Sequence, residues 1–102
     1  MEAPVLIVLT TPEAYNWLED LSIAGEVIYL EATNQGLGTC WMQIRDIGTP
    51  DKPDPEGYVR KVLGIPEDIR VLCFFPIGYP KIALPEHTEN EFELSKIHPE
   101  KW

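Results

Sequence analysis

The stretch Gln35-Gly36-Leu37-Gly38-Thr39-Cys40-Trp41 is where a helical pattern gives way to a strand-like one. Upstream of it, Leu21, Ala24, Ile28 and Ala32 recur at three- and four-residue spacing, with Leu18 and Val27 widening the apolar stripe. This predicts a core helix running from Trp17 for about five turns. Ser22, Ala24 and Gly25 are small enough to let a sheet or another helix approach closely. Downstream, Thr39 to Ile44 reads as a strand. A helix that ends on glycines and re-enters a sheet leaves backbone N–H groups at an element boundary, a place where an α+β protein can hold a planar cofactor. Two readings of Gly36 stand side by side: a helix C-cap and a ligand contact.

The flanking segments extend this pattern in both directions. Pro4 to Thr10 is an uninterrupted apolar run rich in branched residues, which predicts a strand buried on both faces in the middle of a sheet. Thr11-Pro12-Glu13 closes it. Gly48 to Gly57 carries Pro50, Pro53 and Pro55 among acids and reads as an exposed loop. A short helix follows, with Tyr58, Val59, Val62 and Leu63 as its apolar face and Gly64 and Pro66 as its stop. Ile69 to Ile77 is a second strongly apolar strand, ended by Gly78-Tyr79-Pro80. Helices lying between strands imply crossovers, and hence an α+β fold built as a small layered sheet with packed helices. Residues 1–80 form this domain. Residues 81–102 form an extended acidic tail whose Phe92, Leu94, Ile97 and Trp102 suit anchoring along the domain or across a partner subunit, the alternative being a mobile tail.

Composition narrows the function classes. The 102 residues suffice for one hydrophobic core, and 44% hydrophobic content supports folding. A net charge of -9, from 17 acidic and 8 basic side chains, repels nucleic-acid phosphates and anionic lipid. The run from Ala3 to Leu9 is too short to span a bilayer and lacks a signal-peptide pattern, so a soluble cytoplasmic protein is the default. Cys40 and Cys73 lie in apolar segments without CxxC spacing and read as packed free thiols, and neither they nor His87 and His98 offer metal-ligand spacing.

The chain has no GxSxG elbow, P-loop, HExxH or EF-hand loop. Gly36-x-Gly38 follows a helix instead of preceding one, the wrong order for a dinucleotide fingerprint. Five segments, taken in order, are more specific. They are Ala3 to Val8, Trp17 to Ala24, Gly36 to Trp41, Val62 to Arg70, and Phe75 to Pro80. Together they resemble the nitroreductase family of flavin proteins, and specifically the C-terminal half of a usual member.

That resemblance implies an FMN-associated oxidoreductase that passes two electrons from NAD(P)H to a nitroaromatic, quinone or similar acceptor. The alternative is a cofactor-free nitroreductase-like interaction domain that has lost the flavin site. By the same resemblance, Gln35, Gly36 and Leu37 lie near the flavin ring, with the Gly36 N–H toward its reactive nitrogen, and Lys81 faces the FMN phosphate. No side chain is implied as a catalytic acid, base or nucleophile, because the chemistry belongs to the cofactor. The family's usual N-terminal segment, which brings helices, much of the dimer interface and an arginine-rich stretch, has no counterpart here. A homodimer or a second chain is therefore expected to complete the site.

Overall fold

The computed structural model describes residues 3–83 and 85–102; Met1, Glu2 and Leu84 lie outside the described residues. Strand β1 spans Val5–Pro12, helix α1 Trp17–Asn34, β2 Met42–Gln43, α2 Pro55–Leu63 and β3 Ile69–Ile77. The three strands form one sheet in the order β1-β3-β2. Both neighbours run antiparallel to β3, from Val5 opposite Ile77 to Pro12 opposite Ile69 on one side, and with Met42 opposite Phe74 on the other. Helix α1 therefore carries the chain across β3, from one edge of the sheet to the other. The expected crossover is present, and β3 fills the gap it leaves.

This topology corrects the reading of the first apolar run. β1 is an edge strand, with Val5 and Leu6 about half exposed, and the doubly buried central strand is β3. Val71, Cys73 and Phe75 are wholly buried there. A continuous apolar run is compatible with either position, because it shows which faces are covered and not how many neighbours the strand has. The strand expected over Thr39 to Ile44 is shorter than its pattern, only Met42–Gln43, with a separate bridge from Gly38 to Gly78.

The two faces of the sheet hold two cores. On one, α1 packs Trp17 against Leu9, Leu72, Cys73 and Phe75, with Leu18, Leu21 and Ile28 around them. On the other, Val59 of α2 meets Ile44 and Val71, with Val8, Ile65 and Phe74. The β1–β3 ladder between them contains a bulge. Leu9 pairs with Cys73 but Thr10 pairs with Val71, so Leu72 has no partner on β1, and its carbonyl accepts from the N–H groups of Ile44 and Arg45 at 3.0 and 3.2 Å. Gly25 is where α1 comes closest to the sheet: a Cβ there would lie 2.7 Å from the Trp41 ring and 3.2 Å from the Phe75 ring. Val27, expected to widen the buried stripe, is instead 60% exposed on the far side of the helix.

Helix α2 begins inside the expected loop, at Pro55, because Asp54 caps it by accepting from the Gly57 N–H at 2.7 Å and proline suits a first turn. Gly64 ends it in the left-handed region at φ 68°. Of the apolar face expected for it, only Val59 is buried. The helix is held mainly through Glu56. That carboxylate accepts from Arg70 Nε at 2.9 Å, Arg70 Nη2 at 3.2 Å, Arg60 Nη1 at 3.2 Å and the Val71 N–H at 2.8 Å. Arg70 in turn reaches Glu13 at 3.2 Å and lies 4.6 Å above the Trp17 ring, joining α2, β3 and the start of α1. After Ile77, residues 81–102 contain two short 3-10 turns, Glu89–Glu91 and Leu94–Lys96, and no residue of either turn is buried.

Two stability measurements follow from this packing. Burial by itself would raise the Glu56 carboxyl, but hydrogen bonds from Arg70 and Val71 and the charges of Arg70 and Arg60 outweigh it and hold the group below its ordinary 4.5. Its contribution is therefore complete above the unfolded value near 4.5 and is lost as pH falls through the lower folded value. Glu56→Gln should cost about 2 kcal/mol in urea unfolding at pH 7 and flatten the loss of stability in acid; an unchanged acid profile would remove Glu56 from that role. Gly25→Leu should cost about 2 kcal/mol or more, because the added side chain must displace the Trp41 and Phe75 rings, and a neutral result in the same assay would show that the contact yields freely.

Candidate functional site

The exit of α1 closes on itself. Gly36 stands at φ 70°, the Leu37 N–H donates to the Ala32 carbonyl at 2.8 Å, and the Gly36 N–H donates to the Thr33 carbonyl at 3.0 Å. This pair of bonds is the glycine-terminated helix end that satisfies the last carbonyls. The Gln35 N–H donates to the Glu31 carbonyl at 2.9 Å, and its side-chain amide donates to Glu31 Oε1 at 2.6 Å. Gly36 is thus the left-handed residue that follows the Gln35 C-cap, and a Cβ added there would meet nothing within 4 Å. Any further acceptor approaching the Gly36 N–H would have to share it with Thr33.

One residue beyond this turn the chain meets the end of β3. The Gly38 N–H donates to the Gly78 carbonyl at 2.7 Å and the Gly78 N–H to the Gly38 carbonyl at 3.1 Å. Close approach makes glycine useful at both positions: a Cβ on Gly78 would lie 3.3 Å from Pro4 Cδ, and one on Gly38 would touch the Gly78 carbonyl and Pro80. Around the bridge lies a cavity of about 380 Å³ bounded by Gly38, Thr39, Cys40, Pro76, Gly78 and Lys81, with Ala3, Tyr79 and Pro80. Among the described residues, Lys81 is the one Lys or Arg that lines it, and no carboxylate does. In a chain of net charge -9, this local sign favours an anionic group. The Thr39 hydroxyl oxygen in the wall is buried and has no hydrogen-bond partner among the described residues.

Of the four residues singled out by the sequence, Lys81 therefore lines the cavity, while Gln35, Gly36 and Leu37 form the turn that delivers Gly38 to it. Gly38, Thr39 and Gly78 were not among those four. Their signal was present only as glycines at two element boundaries, and nothing local shows that residues 38 and 78 meet. Trp41 serves the packing: its ring stands edge-on to Phe75 at 5.4 Å and its Nε1 donates to Gln43. Arg45 lies elsewhere, paired with Asp46 at 2.8 Å and facing the Trp17 ring. Cys40 and Cys73 are free, and burial pushes the Cys73 thiol up to about 11, which keeps it protonated and unreactive.

A larger depression of about 740 Å³ runs along α2, but it mixes Asp54 and Glu67 with Arg60 and Lys61. Arg60 is already engaged by Glu56 and the Ile69 carbonyl. The depression therefore lacks the uniform sign and the backbone cradle of the Gly38–Gly78 cavity. Among the described residues no helix is long and apolar enough to cross a membrane.

Comparison with known proteins agrees with the architecture. The chain is 33% identical, over 99% of its length, to a protein of Methanothermobacter thermautotrophicus provisionally named NADH dehydrogenase/NAD(P)H nitroreductase, of which it covers 52%. A protein of the same provisional name from Archaeoglobus fulgidus is 34% identical over 84% of this chain and is covered to 47%. The chain thus spans about half the length of the curated relatives it matches. Among solved structures, an FMN-dependent nitroreductase from Clostridium difficile superposes with a TM-score of 0.89 at 31% identity, covering 98% of this chain and 59% of that one. The model of the Nitroreductase family matches residues 1–79, well over half of the sequence, and this chain belongs to that family.

Proposed function

We propose that residues 1–80 supply one wall of an FMN site in an oxidoreductase, and that a second copy or another chain supplies the rest. The observation that carries this reading is the Gly38–Gly78 cavity, a backbone cradle with one cation and no carboxylate among the described residues, in a member of the nitroreductase family. The residues present fit the group on two counts. An unpartnered Thr39 hydroxyl lies in the cavity wall, and bridged glycines let flat backbone approach a planar ring without side chains between them.

In this proposal Gln35, Gly36 and Leu37 border the ring, and Lys81 supplies a point charge toward the phosphate. The chemistry such a flavin supplies is two-electron transfer from NAD(P)H to a nitroaromatic, quinone or similar acceptor. The chain's own part is to bind, orient and screen. The rigid turn after α1 fixes one edge of the cavity, and the end of β3 fixes the other. A single lysine leaves a doubly charged phosphate incompletely neutralised, which is why a second polypeptide surface belongs to the site. The tail, residues 81–102, extends across that partner in the same reading: Phe92, Leu94, Ile97 and Trp102 are all more than half exposed on their own chain.

The purified protein, incubated with FMN and freed of unbound flavin, should retain visible flavin absorbance at one equivalent per site. Lys81→Glu should lower its FMN affinity by roughly tenfold or more, with an unchanged unfolding midpoint. Absence of retained flavin in the unaltered protein would overturn the reading in which a second copy of this chain completes the site, and equal affinity in the variant would remove Lys81 from it. Deleting the residues after Pro85 should weaken association, seen as a lower sedimentation mass on dilution; identical masses across the dilution series would remove the tail from the interface.

A further inference from the structure

The two helices are fastened to the sheet by different means. Helix α1 lays Trp17 into a cluster with Leu9, Leu72, Cys73 and Phe75, and its backbone at Gly25 rests against the Trp41 and Phe75 rings. Helix α2 buries Val59 alone, and its Tyr58, Val62 and Leu63 stay exposed. The rest of its attachment is polar. Glu56 accepts from Arg70 and from the Val71 N–H, and Arg60 donates to the Ile69 carbonyl at 3.2 Å. All of these partners belong to the first three residues of β3. The bonds from β3 to Glu56 converge on one carboxylate, so a single displacement of that group releases them together.

We propose that residues 48–64 form a latched flap: α2 lifts from the sheet as a unit, with Glu56 as its latch, while β1, β3 and α1 stay folded. The ends of the segment suit such a movement. Gly64 stands at φ 68°, where glycine is unstrained, and the loop that Gly48 opens is closed on itself by mutual backbone bonds of 2.9 and 3.0 Å between Thr49 and Lys52. That loop can travel with the helix without being rebuilt. Arg70 does not depend on the flap for a partner, because Glu13 at 3.2 Å and the Trp17 ring at 4.6 Å remain beside it. Opening therefore leaves no guanidinium stranded without a counter-ion, which keeps its cost below that of unfolding the sheet. It uncovers Ile44 and Val71, with Val8 and Phe74, and leaves the cluster under α1 on the opposite face closed. Gly78 lies beyond the other end of β3, so the inference stands apart from the flavin reading.

Amide hydrogen exchange on the full chain, resolved residue by residue, tests this. In the unaltered protein the amides from Val59 to Leu63 should share one protection factor, at least about tenfold below those of β3 and α1, and should respond little to low urea, the mark of a sub-global opening. Glu56→Gln should speed the α2 amides by a further factor of about ten or more and leave the α1 amides unchanged. Glu13→Gln takes a partner from Arg70 without touching the flap, and should leave α2 exchange within about twofold of its original rate. A single protection factor and urea dependence for α2, β3 and α1 would overturn the inference. So would exchange graded from the ends of α2 inward, which is fraying, or an equal response of α2 to the two variants. Should Glu56→Gln not fold, the exchange pattern of the unaltered protein decides by itself.

Discussion

Every strand of the sheet pairs with β3, and the molecule depends on that one strand being buried on both faces. Its side chains divide between the two cores, Cys73 and Phe75 toward α1 and Val71 and Phe74 toward α2. The bulge at Leu72 lets this division shift partway along the strand without breaking the ladder, because the spare carbonyl is taken up by Ile44 and Arg45. The same strand fixes the candidate site. Gly78 is its immediate continuation, and the bridge to Gly38 ties that end to the turn leaving α1. A cavity wall made of a central strand end and a capped helix end is held by the most protected part of the fold, which suits a site whose task is to position a ligand instead of to close over it.

How much of this was legible in the sequence follows from how local each feature is. The helix from Trp17 and its glycine stop could be read directly, since periodicity and a left-handed cap are determined within a few residues. The order of the strands could not, because pairing is a relation between distant segments and an apolar run looks the same at an edge and in the middle. Val27 shows the limit within a single helix: its spacing fits the edge of a core stripe, but Ile23 and Leu30 draw it onto a second one. Glu56 was hidden differently. It sits among prolines and acids that read as loop, and its partners Arg70 and Val71 lie 14 and 15 residues away. At the cavity, Lys81 came into view only through the family resemblance, and Gly38 and Thr39 acquire their setting only when residue 78 arrives.

The surface left uncovered is as informative as the core. A compact domain of about 100 residues has a radius of gyration of about 13 Å. The observed value is 17.1 Å, with extents of 45 × 40 × 27 Å. Part of the excess is the tail, where Ile82, Phe92, Leu94, Ile97 and Trp102 are exposed. The rest of the imbalance is in the layers: α1 carries a stripe with nothing upon it, and α2 buries one side chain of its apolar face. Exposed apolar positions scattered singly would need no explanation, but these align along one helix face and one arm. The relatives are about twice as long as this chain, and the sheet and its two inner cores lie within the part it shares with them.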